Sequence, residues 1–74
     1  MKELHRSYEI GALDIGNVIS FAGVRQAYII VKRVEKSGNT YVQQCNGSNP
    51  KWRGTGRYAD PSTTVVLLKE KHEE

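Results

Sequence analysis

The chain has 74 residues, a net charge of +3 and a single cysteine. That is one domain at most, and a domain of this size buries only about 60% of the surface that its unfolded chain exposes. Cys45 alone excludes an intrachain disulfide, and His5 and His72, far apart and with no cysteine beside either, give a tetrahedral zinc site no support.

Residues 1–12 lack a clear period and read as an N-terminal arm. Leu4, Tyr8 and Ile10 can form a short amphipathic turn or an edge strand, which Gly11 would stop. Asp14-Ile15-Gly16-Asn17 predicts a turn leading into a strand. Over Asn17–Ala22, Ile19 and Phe21 fall on one face and Val18 and Ser20 on the other, and Ala22-Gly23 ends the strand. Ala27–Glu35, rich in Ile, Val and Tyr, is the strongest strand signal. Its length predicts a bent, twisted strand that serves both halves of a barrel.

Lys36-Ser37-Gly38-Asn39 predicts a hairpin turn. Thr40–Cys45 is the returning strand, with Tyr41, Gln43 and Cys45 on one face and Val42 and Gln44 on the other. The turn formers Asn46-Gly47-Ser48-Asn49-Pro50, followed by Lys51–Gly56, predict a long loop. Arg57–Ala59 reads as a short strand and Asp60-Pro61-Ser62 as a turn. Thr63–Lys69 is the last strand, and its continuous Val-Val-Leu-Leu core predicts burial on both faces. Residues 70–74 form a charged tail.

Several short strands with regularly spaced turns favour a closed or half-closed barrel over an open sheet, because closure removes exposed edges. The expected fold is all-β: a small barrel of about five strands over residues 13–69, with the arm at 1–12 and the tail at 70–74. Gly16-Asn17-Val18-Ile19-Ser20-Phe21-Ala22-Gly23, followed by Tyr28-Ile29-Ile30-Val31, resembles the opening of small SH3-like barrels, the KOW-type and related bacterial and phage barrels in particular. Asn17 stands where those barrels often carry Asp. The resemblance covers residues 14–45, with the closing strand at 63–69. It implies a small barrel of a kind often used to bind nucleic acid or protein, and it carries over no individual binding residue. Eukaryotic signalling SH3 domains fit less well: Trp52, Tyr58 and Pro61 are the residue types that grip polyproline, but their order and spacing differ.

Charge is segregated along the chain. Residues 23–58 hold seven basic side chains (Arg25, Lys32, Arg33, Lys36, Lys51, Arg53, Arg57) against Glu35 alone, whereas both flanking segments are net acidic. Such a basic middle either attracts an acidic partner through its field or is simply the solvated exterior of a barrel. Lys51-Trp52-Arg53-Gly54-Thr55-Gly56-Arg57-Tyr58 is the best functional candidate: Lys and Arg neutralise phosphates, and Trp and Tyr offer faces on which bases stack. The competing reading is a mobile surface loop whose Trp52 folds back to cap the barrel. Gly54-Thr55-Gly56 is no phosphate-binding fingerprint, because such a motif must follow a strand and open a helix.

Lys32-Arg33 lies within a strand, where successive residues point to opposite faces. With Ile29 and Val31 inward, Arg33 would follow them unless the strand is bulged. The face left to Tyr28, Ile30, Lys32 and Val34 is too apolar for plain surface, so the strand is expected to change sides. An outward Tyr28–Lys32 pair would then extend the basic region, the alternative being an ordinary charged strand end. Cys45 reads as a structural thiol, since no His or acid accompanies it as nucleophilic catalysis needs. Asp14 and Asp60 sit at turns, where carboxylates bind local backbone.

The expectation is therefore a non-enzymatic binding module without metal or cofactor, using Arg25, Lys32, Lys51, Arg53 and Arg57 with Trp52 and Tyr58. Its partner is nucleic acid or an acidic protein surface. In the second case it resembles accessory or inhibitor proteins of phages and mobile elements that dock on a host protein. Met1–Arg6 is charged, with no apolar stretch after it, and the runs Ala27–Val31 and Val65–Leu68 are far too short to cross a bilayer. A cytoplasmic protein without a membrane partner is expected, with self-association left open.

Overall fold

The computed structural model describes residues 2–46 and 49–70. The expectations for Gly47-Ser48 and for residues 71–74 lie outside them. Six strands are formed: β1 (Ser7–Glu9), β2 (Val18–Phe21), β3 (Ala27–Arg33), β4 (Thr40–Asn46), β5 (Asn49–Ala59) and β6 (Thr64–Lys69). They make one antiparallel sheet in the order β1-β6-β2-β3-β4-β5. The all-β expectation holds. The ladder does not close into a barrel, because β1 and β5 are the two ends of the hydrogen-bonded order. The expected arm contributes the edge strand β1 and a three-residue 3-10 helix, Ile10–Ala12.

The core lines one face of the sheet. Ile19 and Phe21 of β2, Tyr28 and Ile30 of β3, Val42 of β4, Ala59 of β5 and Val65 and Leu67 of β6 are buried together, closed off by Ile10 and Leu13. Period-2 alternation puts these side chains on one side. Truncating one such Ile or Leu costs about 2–5 kcal/mol, a large share of the total stability of a small domain. Continuous burial of β6 is not found: Val65 and Leu67 are fully buried, while Val66 and Leu68 are half-buried on the other face. The run Val65–Leu68 alternates like any strand with one covered side.

The strand ends follow the turn chemistry. Gly38 takes φ +75°, a left-handed conformation that a side chain would strain, and its N–H donates to Val34 O at 2.7 Å. Asn17 is buried, yet both ends of its amide are bonded. Its Oδ1 accepts from the Asp14 N–H at 2.9 Å, and its Nδ2 donates to Glu70 O at 2.6 Å. The donated bond suits Asn and not Asp at this position: an ionised carboxylate has no proton to give a carbonyl.

A correction concerns residues 49–56, expected as a loop and found inside the eleven-residue strand β5. Asn, Pro, Gly and Lys are poor strand formers, and pairing with β4 overrides that preference. The pairing is imperfect, with register shifts between Gln43 and Cys45 and between Cys45 and Asn46. A second correction concerns β3. Tyr28 and Ile30 face the core rather than Ile29 and Val31. A register shift between Ile30 and Lys32 leaves Val31 opposite no residue of β4. This bulge is the change of sides that the composition of the strand required. The outward Tyr28–Lys32 pair does not form, because Tyr28 is buried edge-to-face against Phe21, centroids 5.1 Å apart.

Candidate functional site

β3, β4 and β5 are neighbours in the sheet as well as in the sequence. They carry Lys32, Arg33, Lys51, Arg53 and Arg57 and no carboxylate. The sequence segregation of charge therefore becomes a segregation in space, with one half of the sheet cationic. In the other half the exposed Arg6 is paired with Glu3, Nε to Oε2 at 2.5 Å.

The five cations do not share one environment. Past the Val31 bulge, Lys32 stands directly opposite Tyr41, and Tyr41 directly opposite Tyr58. Lys32 Nζ lies 5.7 Å from the centre of the Tyr41 ring, and the Tyr41 and Tyr58 rings are 4.9 Å apart, tilted by 53°. These three residues form a row across three strands on the face away from the core. Tyr58 is 56% exposed. The row depends on Gly56, since a Cβ at that position would run into the hydroxyl and ring of Tyr41. The glycine of Gly56-Arg57-Tyr58 thus provides the flat backbone over which Tyr41 lies.

The adjacent cations turn the other way. The Arg33 guanidinium donates to Gly11 O at 3.0 Å, to Ile10 O at 3.1 Å and to Leu13 O. It ties β3 to the 3-10 helix, giving donors to the carbonyls of Gly11 and Leu13 and a second donor to that of Ile10, which also accepts from the Leu13 N–H at 3.2 Å. Arg57 lies opposite Val42 on the core side, its guanidinium 4.6 Å above the Phe21 ring. Arg57 and Tyr58 are consecutive and on opposite faces, so they cannot serve one flat surface together.

Trp52 is 40% exposed, so it is not a cap sunk in the core. Its ring lies where a Cβ on Gly54 would come within 2.6 Å. With Arg25, Gln26, Ala27, Cys45 and Asn46 it lines an open hollow of about 320 Å³. Gln26 Nε2 fixes that rim by donating to Cys45 O at 2.7 Å and Ala27 O at 3.0 Å. Arg53 lies opposite Cys45 and donates to Trp52 O at 3.0 Å. Lys51 is exposed. The predicted residues therefore divide into three places. Lys32 and Tyr58 lie in the row, Arg25 and Trp52 at the hollow with Lys51 and Arg53 beside them in sequence, and Arg57 on the core side.

Tyr41 is the residue that sequence reading missed. Its neighbours in the row lie 9 and 17 positions away, and only the register of two hairpins joins them. Cys45 fits the structural reading: it is buried, and burial pushes its thiol pKa up despite the nearby positive charges of Arg53 and Lys69. Asp60 also fits its turn. Its Oδ1 accepts from the Ser62 N–H at 2.9 Å and from the Ser62 hydroxyl at 2.7 Å, and these bonds lower its pKa. Among the described residues no group of His, Cys, Asp and Glu is placed to hold a metal ion, and no helix is long and apolar enough to cross a membrane. Comparison with family models, with curated proteins and with solved structures finds no match for the chain.

Proposed function

We propose that this chain is a non-enzymatic binding module whose ligand is nucleic acid, met on the outer face of β3, β4 and β5. One observation carries the reading: Lys32, Tyr41 and Tyr58 form a cation–aromatic row on a half of the sheet whose strands bear no carboxylate. Cations neutralise phosphates and exposed rings stack on bases, so the two together match the two chemical components of a nucleotide. A small antiparallel sheet with one apolar face also accords with a half-closed relative of the SH3-like barrels, among which nucleic-acid binders are common. Arg25 and Lys51, exposed and without an ion pair among the described residues, extend the cationic region toward the hollow at Trp52.

The test is fluorescence anisotropy with labelled DNA and RNA of mixed sequence. Binding is expected at about 50 mM salt and should weaken by an order of magnitude or more by about 200 mM. Absence of binding to either polymer at the low salt concentration removes the reading.

A second reading, docking on an acidic protein surface, draws on the unpaired outer edge of β5. This strand has eleven residues and, among the described residues, pairs with β4 alone, and such an edge can accept another strand. Partners retained from a nuclease-treated lysate through washes of moderate salt would favour it.

A further inference from the structure

We infer that the ligand is a single strand, with an unpaired base stacked on Tyr58 and the adjoining phosphates beside Lys32. The inference rests on the nucleic-acid reading above and specifies the class of polymer.

It starts from an exposed ring that is braced on one side. Tyr58 is 56% exposed on the outer face. Tyr41 packs against it at 4.9 Å and is itself laid over Gly56. The ring is thus held in place by a neighbour that serves no part of the core cluster, while more than half of it meets solvent. A held ring loses less freedom on binding than a freely rotating one, which favours stacking.

The faces of paired bases are covered by the bases above and below them, so a duplex offers such a ring nothing to stack on. Unpaired bases offer both faces. Reading a duplex groove calls for a helix or a projecting two-stranded ribbon. The described residues hold no α-helix, only the 3-10 helix Ile10–Ala12. The Lys32–Tyr41–Tyr58 row lies across three strands and does not project as a ribbon would.

The count of available cations points the same way. Arg33 is bonded to three backbone carbonyls and Arg57 to the Phe21 ring. Arg53 is bonded to Trp52 O. Of the seven basic residues between positions 23 and 58, that leaves Arg25, Lys32, Lys36 and Lys51 to meet phosphates. A protein that makes about 6–10 phosphate contacts draws a large electrostatic share of its affinity from them, and these four cations supply fewer. With few phosphate contacts, stacking must carry a larger part of the affinity.

The experiment compares a short labelled single strand, as DNA and as RNA, with the matching duplex, using the wild-type chain and the Tyr58→Ala and Tyr58→Phe variants at about 50 mM salt. Wild type is expected to bind the single strand about tenfold more tightly than the duplex. Tyr58→Ala should lose about tenfold on the single strand, while Tyr58→Phe, which keeps the ring face, stays near wild type. The log–log salt slope for the single strand should be no steeper than about −3, the value for four phosphates. Unchanged thermal melting of Tyr58→Ala shows that the loss is not one of folding. Duplex binding as tight as single-strand binding, or an unaffected Tyr58→Ala, overturns this inference and leaves the nucleic-acid reading in place. No binding of either polymer by wild type overturns both.

Discussion

The inner and outer faces of the β3–β4–β5 half hold their cations in different ways. On the inner face, Arg33 donates to three backbone carbonyls of the segment from Ile10 to Leu13, and Arg57 covers Phe21. On the outer face, Lys32 has the exposed edge of a tyrosine row for company. The Arg33 guanidinium is occupied by the fold itself, and Arg57, although exposed, lies over the Phe21 ring on the side of the sheet away from the tyrosine row. The outer ammonium remains available to a phosphate. Counting basic residues along the chain therefore overstates the binding surface, and the useful count takes in only those cations that the fold leaves unengaged.

The largest expected effect comes from removing the inner clamp. Arg33→Ala removes the side-chain donor from the carbonyls of Gly11 and Leu13 and leaves Ile10 O with the Leu13 N–H alone, in a region packed beside the buried Ile10 and Leu13. Hydrogen bonds from a charged donor contribute about 1.5–3 kcal/mol each, and water replaces part of that at a half-exposed site. A loss of about 2–4 kcal/mol is expected in urea unfolding, enough to lower the melting temperature by roughly 10–20 °C in a domain of this size. Arg33→Lys should recover little of it, because one ammonium cannot reproduce a planar fork that spans several acceptors. Full stability in Arg33→Ala would break the distinction between the faces, for Arg33 would then be no more structural than Lys32.

A gain rather than a loss is expected from another inner-face residue. Thr40, fully buried opposite Ala59 and Arg33, has a hydroxyl with no hydrogen-bond partner among the described residues. In the unfolded chain that hydroxyl bonds to water, so folding gives up a bond without replacing it. Val has nearly the same shape and no such loss. Thr40→Val should stabilise the domain by about 1 kcal/mol in the same unfolding assay. Destabilisation would mean that the hydroxyl finds a partner in solution and that polar groups on the inner face are more fully satisfied than these contacts indicate.

How much of this was legible in the sequence depends on how local the cause was. The alternation of Ile19 and Phe21 against Val18 and Ser20, and of Val42 against Tyr41 and Gln43, is set by neighbours along the chain, and it reads correctly. The turns at Asp14–Asn17 and Lys36–Asn39 are likewise local. The strand through Lys51–Gly56 was hidden because its conformation comes from the β4 ladder and not from its own preferences. Gly56 looked like loop chemistry, whereas its function is to leave space for Tyr41 across the strand. The Val31 bulge shows in the sequence only as a conflict: strict alternation puts Tyr28, Ile30 and Lys32 on one face. Where the strand would resolve that conflict could not be read from one strand alone. The binding row is the least legible element, because residues 32, 41 and 58 meet only through the register of two successive hairpins.

The smallest effect separates two cation–ring contacts that look alike on paper. Arg57 lies 4.6 Å from the centre of a nearly buried ring, that of Phe21, which is 8% exposed. Lys32 Nζ lies 5.7 Å from the centre of Tyr41, which is only half-buried. The second distance is close to the limit of about 6 Å at which such contacts matter, and water competes for the ammonium. Arg57→Ala should therefore cost about 0.5–1 kcal/mol, with part of the loss coming from the guanidinium stem that shields Phe21. Lys32→Ala should stay within about 0.5 kcal/mol of wild type and yet weaken single-strand binding severalfold through the lost phosphate contact. Equal stability losses in the two variants would mean that Lys32 is held by the fold as Arg57 is. The outer face would then keep no cation in its tyrosine row with which to meet a phosphate.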